Sequence, residues 1–233
     1  MATLREWIDA WRARRFHRRR RDSIDAYRED TNRRVERDPH QAVGGRWDEI
    51  GSLQFTFLKR QGLLPHHALL DIGCGTLRAG RHFIRYLEPG RYTGTDMSAK
   101  ALEFAERLLA AEALREKRPA LILNETGDLR FANLAGRFDF LLAHSVFTHL
   151  PESVLEEAFA NVHKVMNRGA TFFFTISEGE RGRRPGHKNI RYPRSTLERI
   201  VESHGFELRS YADLYPHPKG QTMLAIRESW LED

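Results

Sequence analysis

The chain has 233 residues, of which 40% are hydrophobic and 30% are charged, so it can bury a core and is not globally disordered. No apolar run approaches the roughly 20 residues of a membrane-spanning helix, and the charged N-terminus does not have the pattern of a secretory signal. Cys74 is the only cysteine, which excludes an intrachain disulfide and thiolate-rich zinc sites and favours a reducing, cytoplasmic setting.

Positive charge is concentrated in the N-terminal segment. Residues 1–38 hold 12 Arg against 8 Asp and Glu, a net charge of +4, whereas the whole chain carries +6. Trp7, Ile8, Trp11 and Phe16 predict a short amphipathic helix there. It is either a solvated arm or dimer contact, or a basic and aromatic face for an anionic membrane surface or nucleic acid. We therefore predict a basic helical arm over residues 1–43 and a main domain over residues 44–233.

Helix and strand patterns alternate along the main domain. A helical face begins at Trp47 and ends near Leu58, and further helices are predicted over 78–87, from Ser98 to residue 110, after Pro151, and from a capping box formed by Ser195 and Glu198. Strands are predicted over residues 68–72, 92–95, 121–123, 138–143, 171–176, 206–211 and 221–226. This alternation predicts an α/β fold with a doubly wound, mostly parallel sheet, which binds ligands beyond the carboxyl ends of its strands.

The loop after the first strand is rich in glycine. Gly73 and Gly75 allow a tight turn and a close approach of the backbone to a ligand. A dinucleotide fingerprint would place its third glycine at position 78, which is Arg78, and this bulky side chain disfavours a nicotinamide cofactor.

Acidic residues follow the next two strands. Asp96 ends the second strand, where a carboxylate can accept hydrogen bonds from both hydroxyls of a ribose. After the third strand, Asp128 can accept from an exocyclic amino group and Leu129 can pack on a purine. Each acid alone is equally well explained as a solvated or capping residue. With the glycine loop, in this order, they predict a site for adenosine without phosphates.

These motifs resemble those of class I S-adenosylmethionine-dependent methyltransferases over roughly residues 44–227. The resemblance rests on residues 70–75, Asp96, residues 127–128, and the pair Phe138 and Asp139 that opens the fourth strand. It implies a seven-stranded sheet with a final antiparallel strand and S-adenosylmethionine as the cofactor. The cofactor residues that follow are Asp71, Gly73, Cys74, Gly75, Arg78, Asp96, Met97, Asp128, Leu129 and Ser145.

Within this set the resemblance implies separate roles. Asp71 and the glycines flank the methionine part, Asp96 holds the ribose, and Asp128 lies at the adenine. The chain departs from the commonest pattern at Leu77, where many members have a third glycine. Arg78 is a candidate for the cofactor's carboxylate, with a surface helix residue as the alternative.

Two histidines follow the fourth strand, where the reactive methyl group is expected. We predict His144 as the general base for an alcohol acceptor and His149 as the second choice, with packed scaffold residues as the alternative. The loop over residues 177–193 is basic and glycine-rich, which suits a lid, a site for an anionic or polyhydroxylated acceptor, or a plain surface loop. The segment over residues 215–220 is a second candidate for the same cleft, or a rigid connection.

We therefore expect a methyltransferase that acts on a hydroxyl of a small molecule or glycan, similar to bacterial enzymes of polysaccharide or secondary-metabolite modification. The alternatives are an RNA or protein methyltransferase and a non-catalytic cofactor-binding scaffold. Residues 144–147 lack the Asn/Asp-Pro-Pro-aromatic signature of many amine-directed members, which argues against base methylation. No spacing of Asp, Glu and His indicates a metal site, and the oligomeric state is left open.

Overall fold

The fold is described by a computed structural model that covers residues 24–180, 182–183 and 189–228. The predicted helix around Trp7 lies outside these residues. The helices are α1 (24–37), α2 (Pro39–Ala42), α3 (Trp47–Arg60), α4 (Gly80–Tyr86), α5 (Ala99–Ala111), α6 (Glu152–Asn161) and α7 (Arg194–Ser203). The strands are β1 (Leu69–Ile72), β2 (Tyr92–Asp96), β3 (Ala120–Leu123), β4 (Phe138–Ala143), β5 (Met166–Glu178), β6 (Gly182–Arg183), β7 (Ile190–Tyr192), β8 (Phe206–Ser210) and β9 (Thr222–Glu228). Among the described residues, no helix combines the length and apolar content needed to cross a bilayer.

The main sheet has seven strands in the order β3-β2-β1-β4-β5-β9-β8. Its first five strands run parallel, and β9 pairs antiparallel with both β5 and β8. The prediction of a doubly wound, mostly parallel sheet that ends in an antiparallel strand is therefore confirmed. The basic loop after β5 is partly strand, because β7 pairs parallel with the end of β5 and β6 pairs antiparallel with β7.

Helices cover both faces of the sheet because the central strands are apolar on both sides. β1 is buried along its whole length, and Phe172, Phe173 and Phe174 of β5 are fully buried although successive side chains point to opposite faces. Phe172 and Phe174 pack with α6 and α7, whereas Phe173 packs with α3, α4 and α5. The continuous apolar runs in the sequence thus produced two cores, one on each face.

The ends of two helices test the capping predictions. Ser98 is the N-cap of α5, and its side chain accepts a hydrogen bond from the Ala101 amide at 3.0 Å, as predicted. The predicted capping box at Ser195 is wrong, because α7 already begins at Arg194. Pro193 occupies the N-cap without a side-chain hydrogen bond, and its ring restricts the backbone before the first turn.

The described part of the predicted arm packs on the domain instead of projecting into solvent. In α1, Asn32 accepts a hydrogen bond from Ser98 at 2.7 Å, and Arg28 donates to the carbonyl of Glu125 at 2.7 Å. Val35 is buried against Ala42 and Ala101. Helix α1 consequently lies across the ends of β2 and β3, where the candidate ligand site is expected.

Candidate functional site

A cavity of about 360 Å³ opens at the carboxyl ends of the parallel strands. This volume lies within the usual range for small-molecule sites. Eleven of the twelve sequence-predicted site residues line it, and Asp128 is the exception. The predicted residues thus form one part of the wall, around the loops that follow the parallel strands.

The two glycines of the first loop allow two other segments to approach it closely. Gly73 has φ +71°, and a Cβ there would lie 2.6 Å from Cγ2 of Val146, in the segment after β4. Gly75 has φ +56°, and its Cβ would lie 2.7 Å from Cγ1 of Val43. Any side chain at either position would therefore clash and strain the backbone as well.

Leu77 adopts the backbone conformation that a third glycine would provide. Its φ is +64°, in the left-handed region that non-glycine residues rarely occupy, and its side chain is fully buried. Packing in the core outweighs a backbone cost of about 1–2 kcal/mol. The loop therefore keeps a glycine-like turn despite the departure from the usual motif.

Two carboxylates stand on the cofactor side of the cavity. Asp96 accepts hydrogen bonds from the amides of Gly75 at 2.9 Å and Ser98 at 2.8 Å, one on each oxygen, which leaves lone pairs for ribose hydroxyls. Burial raises the pKa of Asp96, and those backbone hydrogen bonds oppose the shift. Burial also raises the pKa of Asp71 to about 7, although the Tyr92 hydroxyl donates to it at 2.8 Å. A cationic ligand beside the two acids would stabilise their charged forms.

In the loop after β3, Asn124 and Leu129 line the cavity, whereas Asp128 does not. Asp128 accepts from the Thr126 hydroxyl at 2.7 Å and from the Arg130 amide at 3.1 Å, so its carboxylate braces the turn. Leu129 is buried and lines the cavity, and so does Asn124, which the sequence analysis missed. Asn124 donates to the carbonyl of Asp128 at 2.7 Å, so the two residues stabilise one turn.

Arg78 is a buried cation. Its Nη1 donates to the carbonyls of Val43 at 2.6 Å and Gly45 at 3.2 Å, and Nη2 lies 3.4 Å from Nδ1 of His144. Only 7% of the residue is exposed, yet it forms no ion pair with any carboxylate in the described part of the chain. Because an unpaired buried charge is costly, this geometry favours an anionic ligand group over the surface-residue alternative.

His144 has both ring nitrogens against protein groups. Nε2 lies 2.9 Å from the Tyr215 hydroxyl, while Nδ1 faces Arg78 and the Ser145 hydroxyl, the latter at 3.3 Å. Burial and the charge of Arg78 hold the pKa of His144 well below its ordinary range. This arrangement does not support His144 as the general base, because either nitrogen would first have to lose its partner.

The other predicted residues of this segment lie at the cavity wall. His149 is half-buried, with its ring 5.6 Å from that of Tyr27 in α1. Ser145 has φ +60°, and its hydroxyl donates to the side-chain oxygen of Gln221 at 3.0 Å. Gln221 was not among the predicted site residues. Cys74 is buried, and desolvation raises the pKa of its thiol well above the ordinary value, so it is not a nucleophile at neutral pH.

Two groups of lining residues lie far from the strand ends in sequence, and only the first was missed. Tyr27, Thr31 and Arg34 of α1 line the cavity, although the arm was expected to stand apart. His217 and Lys219 come from the connection between β8 and β9, which the sequence analysis named only as a candidate for the cleft. Its mixture of proline, histidine and lysine was the available signal.

The cavity residues fit the cofactor that the resemblance implies. Gly73 and Gly75 leave room for a backbone-hugging ligand, and Asp96 provides acceptors for ribose hydroxyls. Asp71 suits an ammonium or sulfonium group, and Arg78 suits a carboxylate. The described residues contain no cluster of three or more His, Cys, Asp or Glu side chains arranged for a metal ion.

Comparison with known proteins agrees with this chemistry. A family model described as a methyltransferase domain matches residues 70–172, which run from β1 into β5. The matched segment contains the glycine loop, Asp96, the third loop and the histidine segment after β4.

Solved structures share the fold at low sequence identity. Magnesium protoporphyrin IX methyltransferase from Synechocystis PCC 6803, solved with bound S-adenosylmethionine, is 17% identical with a TM-score of 0.67, and the match covers 89% of this chain and 98% of that one. The glycopeptide N-methyltransferase MtfA, also complexed with this cofactor, is 16% identical with a TM-score of 0.61 over 76% of this chain and 94% of that one. A methyltransferase from Clostridium acetobutylicum ATCC 824 is 13% identical with a TM-score of 0.63, over 84% and 98% of the two chains.

Proposed function

We propose that this chain, whose residues 70–172 match a family model described as a methyltransferase domain, is a class I S-adenosylmethionine-dependent methyltransferase that methylates a hydroxyl of a small molecule or glycan. The observation that carries the proposal is the cavity after β4, where a histidine stands at the wall beside the expected methyl position. An alcohol acceptor benefits from such a base, whereas an amine with a free lone pair does not need one.

We assign the base role to His149 and a scaffold role to His144. His149 lines the cavity and is half-buried. His144 is held between Arg78 and Tyr215, and this contact ties the glycine loop to the β8–β9 connection. The second choice of the sequence analysis thus becomes the first on geometric grounds.

When bound, the cofactor supplies an activated methyl group on a positively charged sulfur. The protein's residues position the reactants and exclude water. Asp96 would hold the ribose, Gly73 would flank the methionine part and Arg78 would hold its carboxylate. His149 accepts the proton that the acceptor hydroxyl releases. Helix α1 covers the cavity and limits the access of water through Tyr27 and Thr31.

The proposal is tested by transfer assays with wild type, His149→Gln and His144→Gln. S-adenosylhomocysteine release and a mass gain of one methyl group are measured over sugars, phenolic natural products, amines and RNA. We expect transfer to hydroxyl acceptors and a fall in kcat of about 10²–10⁴-fold for His149→Gln, the usual contribution of a general base. Transfer only to amines or RNA would contradict the acceptor class. Unchanged kcat in His149→Gln would contradict the base assignment.

The N-terminal segment and the cellular setting are separate proposals. Residues 1–38 carry a net charge of +4, which supports contact with an anionic membrane surface or nucleic acid. We expect the full chain to bind anionic lipid vesicles or RNA with an affinity that falls steeply as salt is added. Deletion of residues 1–23 should abolish this binding. The single cysteine, buried as a thiol, supports a cytoplasmic setting.

A further inference from the structure

At the wall of the cavity, Nε2 of His217 has no hydrogen-bond partner among the residues that the structure describes. The residue is only 8% exposed, and this nitrogen is buried. Its ring stacks on that of His144 with 5.0 Å between centroids. A buried polar nitrogen in this state requires an explanation, because native structures pair nearly all such groups.

The hydrogen bonds of the other nitrogen determine the tautomer of His217. Nδ1 accepts from the backbone amide of Lys219 at 3.1 Å, and the amide of Gln221 approaches it at 3.5 Å. Both partners are donors, so Nδ1 carries no proton and the neutral ring bears its proton on Nε2. Pro216 and Pro218 flank the residue and restrict the backbone, which holds the ring in place. His217 therefore presents a fixed N–H donor and cannot serve as a base through Nε2.

The surroundings of this donor are cationic. Arg78 and Lys219 both act on His217 electrostatically, and together with burial they lower its pKa to about 4, so the ring is neutral at physiological pH. Neither cation forms an ion pair with a carboxylate among the residues described. Instead, Arg78 donates to the carbonyls of Val43 and Gly45, and Lys219 donates to that of Gly44. Two positive charges and a neutral donor thus line the same cavity, and Arg78 and Lys219 both lie against Gly44.

We propose that His217, through its Nε2–H group, forms with Arg78 and Lys219 a subsite for a carboxylate. The carboxylate has two sources: the methionine part of the cofactor, or an acidic methyl acceptor. The second source rests on the proposed function and narrows the acceptor class to acids. In both cases the bound oxygen supplies the partner that Nε2 lacks and the counter-ion that Arg78 lacks.

Two substitutions separate the Nε2–H donor of His217 from the hydrogen bond that its Nδ1 accepts from the amide of Lys219. In His217→Asn the side-chain oxygen reaches the position of Nδ1 and still accepts from Lys219, but no donor remains at the position of Nε2. In His217→Gln the amide places an N–H near the position of Nε2. Histidine labelled with nitrogen-15 should show an unprotonated Nδ1 and a protonated Nε2 at residue 217 in the wild type. The opposite tautomer would overturn the proposal.

Calorimetry with two ligands identifies the source. S-adenosylhomocysteine carries the methionine carboxylate, and 5′-methylthioadenosine lacks the whole amino-acid end. If the cofactor supplies the carboxylate, His217→Asn weakens S-adenosylhomocysteine binding about tenfold, the loss of one charge-assisted hydrogen bond, and leaves 5′-methylthioadenosine unchanged. His217→Gln then recovers most of the affinity. If the acceptor supplies it, both ligands bind as in the wild type, and benzoate binds to the S-adenosylhomocysteine complex of the wild type but not of His217→Asn.

The proposal is overturned if His217→Asn matches the wild type in all three titrations, or if it weakens both adenosyl ligands equally. Thermal unfolding shows whether the variant is folded. If it is not, Lys219→Gln decides, because this exposed side chain is not needed for the core. Lys219→Gln should weaken the affinity of the same ligand about threefold. An affinity equal to that of the wild type would overturn the subsite. Failure of transfer to hydroxyl acceptors, with these binding results intact, would refute the proposed function alone.

Discussion

The contact between Gly73 and Val146 gives a quantitative test of how the glycine loop is built. In Gly73→Ala the new Cβ would lie 2.6 Å from Cγ2 of Val146, well inside the 3.5–4.0 Å of an ordinary carbon contact. The residue would also keep φ near +71°. We expect about 1–2 kcal/mol from the backbone conformation and about 1–3 kcal/mol from overpacking, a loss of about 2–5 kcal/mol in the free energy of unfolding.

A double-mutant cycle separates these two terms. Val146→Ala removes the clashing methyl group and alone costs about 1 kcal/mol, because the side chain is only half-buried. In Gly73→Ala/Val146→Ala the overpacking disappears while the backbone strain remains. The double variant should therefore be more stable than the sum of the single effects predicts, by about 1–3 kcal/mol.

Urea denaturation of the four proteins measures this coupling, with circular dichroism and fluorescence recorded on the same samples. Calorimetry with S-adenosylhomocysteine shows in parallel whether the loop still binds ligand. Additivity within about 0.5 kcal/mol, or a Gly73→Ala variant as stable as the wild type, would refute the close approach of the two segments.

Three further predictions address single residues. The folded-state pKa of Asp71, about 7, lies above the ordinary 3.8. The neutral carboxyl therefore contributes to the free energy of unfolding in full below about pH 4, and this contribution is lost as the pH rises through about 7. Asp71→Asn should therefore raise the melting temperature of the unliganded protein at about pH 8 but not at about pH 4, and equal shifts at both would contradict this. Leu77→Gly should be more stable than Leu77→Ala by about 1 kcal/mol in urea, because glycine tolerates φ +64° and both variants lose the buried side chain; the reverse order would show that the strain is absent. Asp96→Ala should weaken S-adenosylhomocysteine binding about 10–100-fold by calorimetry, and Asp96→Asn, which keeps one acceptor oxygen, should lose less; unchanged affinity in both would remove Asp96 from the site.

The strands, most helices and the part of the cavity wall formed by the strand-end loops followed from local patterns in the sequence. Continuous apolar runs are typical of parallel strands buried on both faces, and β4 and β5 bear this out. Polar and glycine residues directly after those strands meet at one edge of a parallel sheet, whatever the details of packing. For that reason Gly73, Asp96 and Ser145 were placed in one site before any contact was known.

Side-chain partners could not be read in this way, because they join distant segments. His144 was a reasonable base by its position after β4, yet Tyr215, 71 positions away, occupies one of its nitrogens. Asp128 was placed at the adenine, but it does not line the cavity, and the Thr126 hydroxyl and the Arg130 amide of its own turn donate to its carboxylate. The capping box at Ser195 failed because Pro193 starts the helix earlier.

The amino-acid sequence alone determined the class of fold, the order of the ligand-binding loops and the kind of molecule they hold, since periodicity and glycine spacing act over a few residues. Tertiary structure decided that α1 covers the cavity and that the β8–β9 connection places His217 beside His144. It also buried Arg78 away from any carboxylate partner in the described part of the chain. These features depend on which surfaces meet after the chain has folded, and hydrogen bonding and charge pairing are settled only at those meeting points.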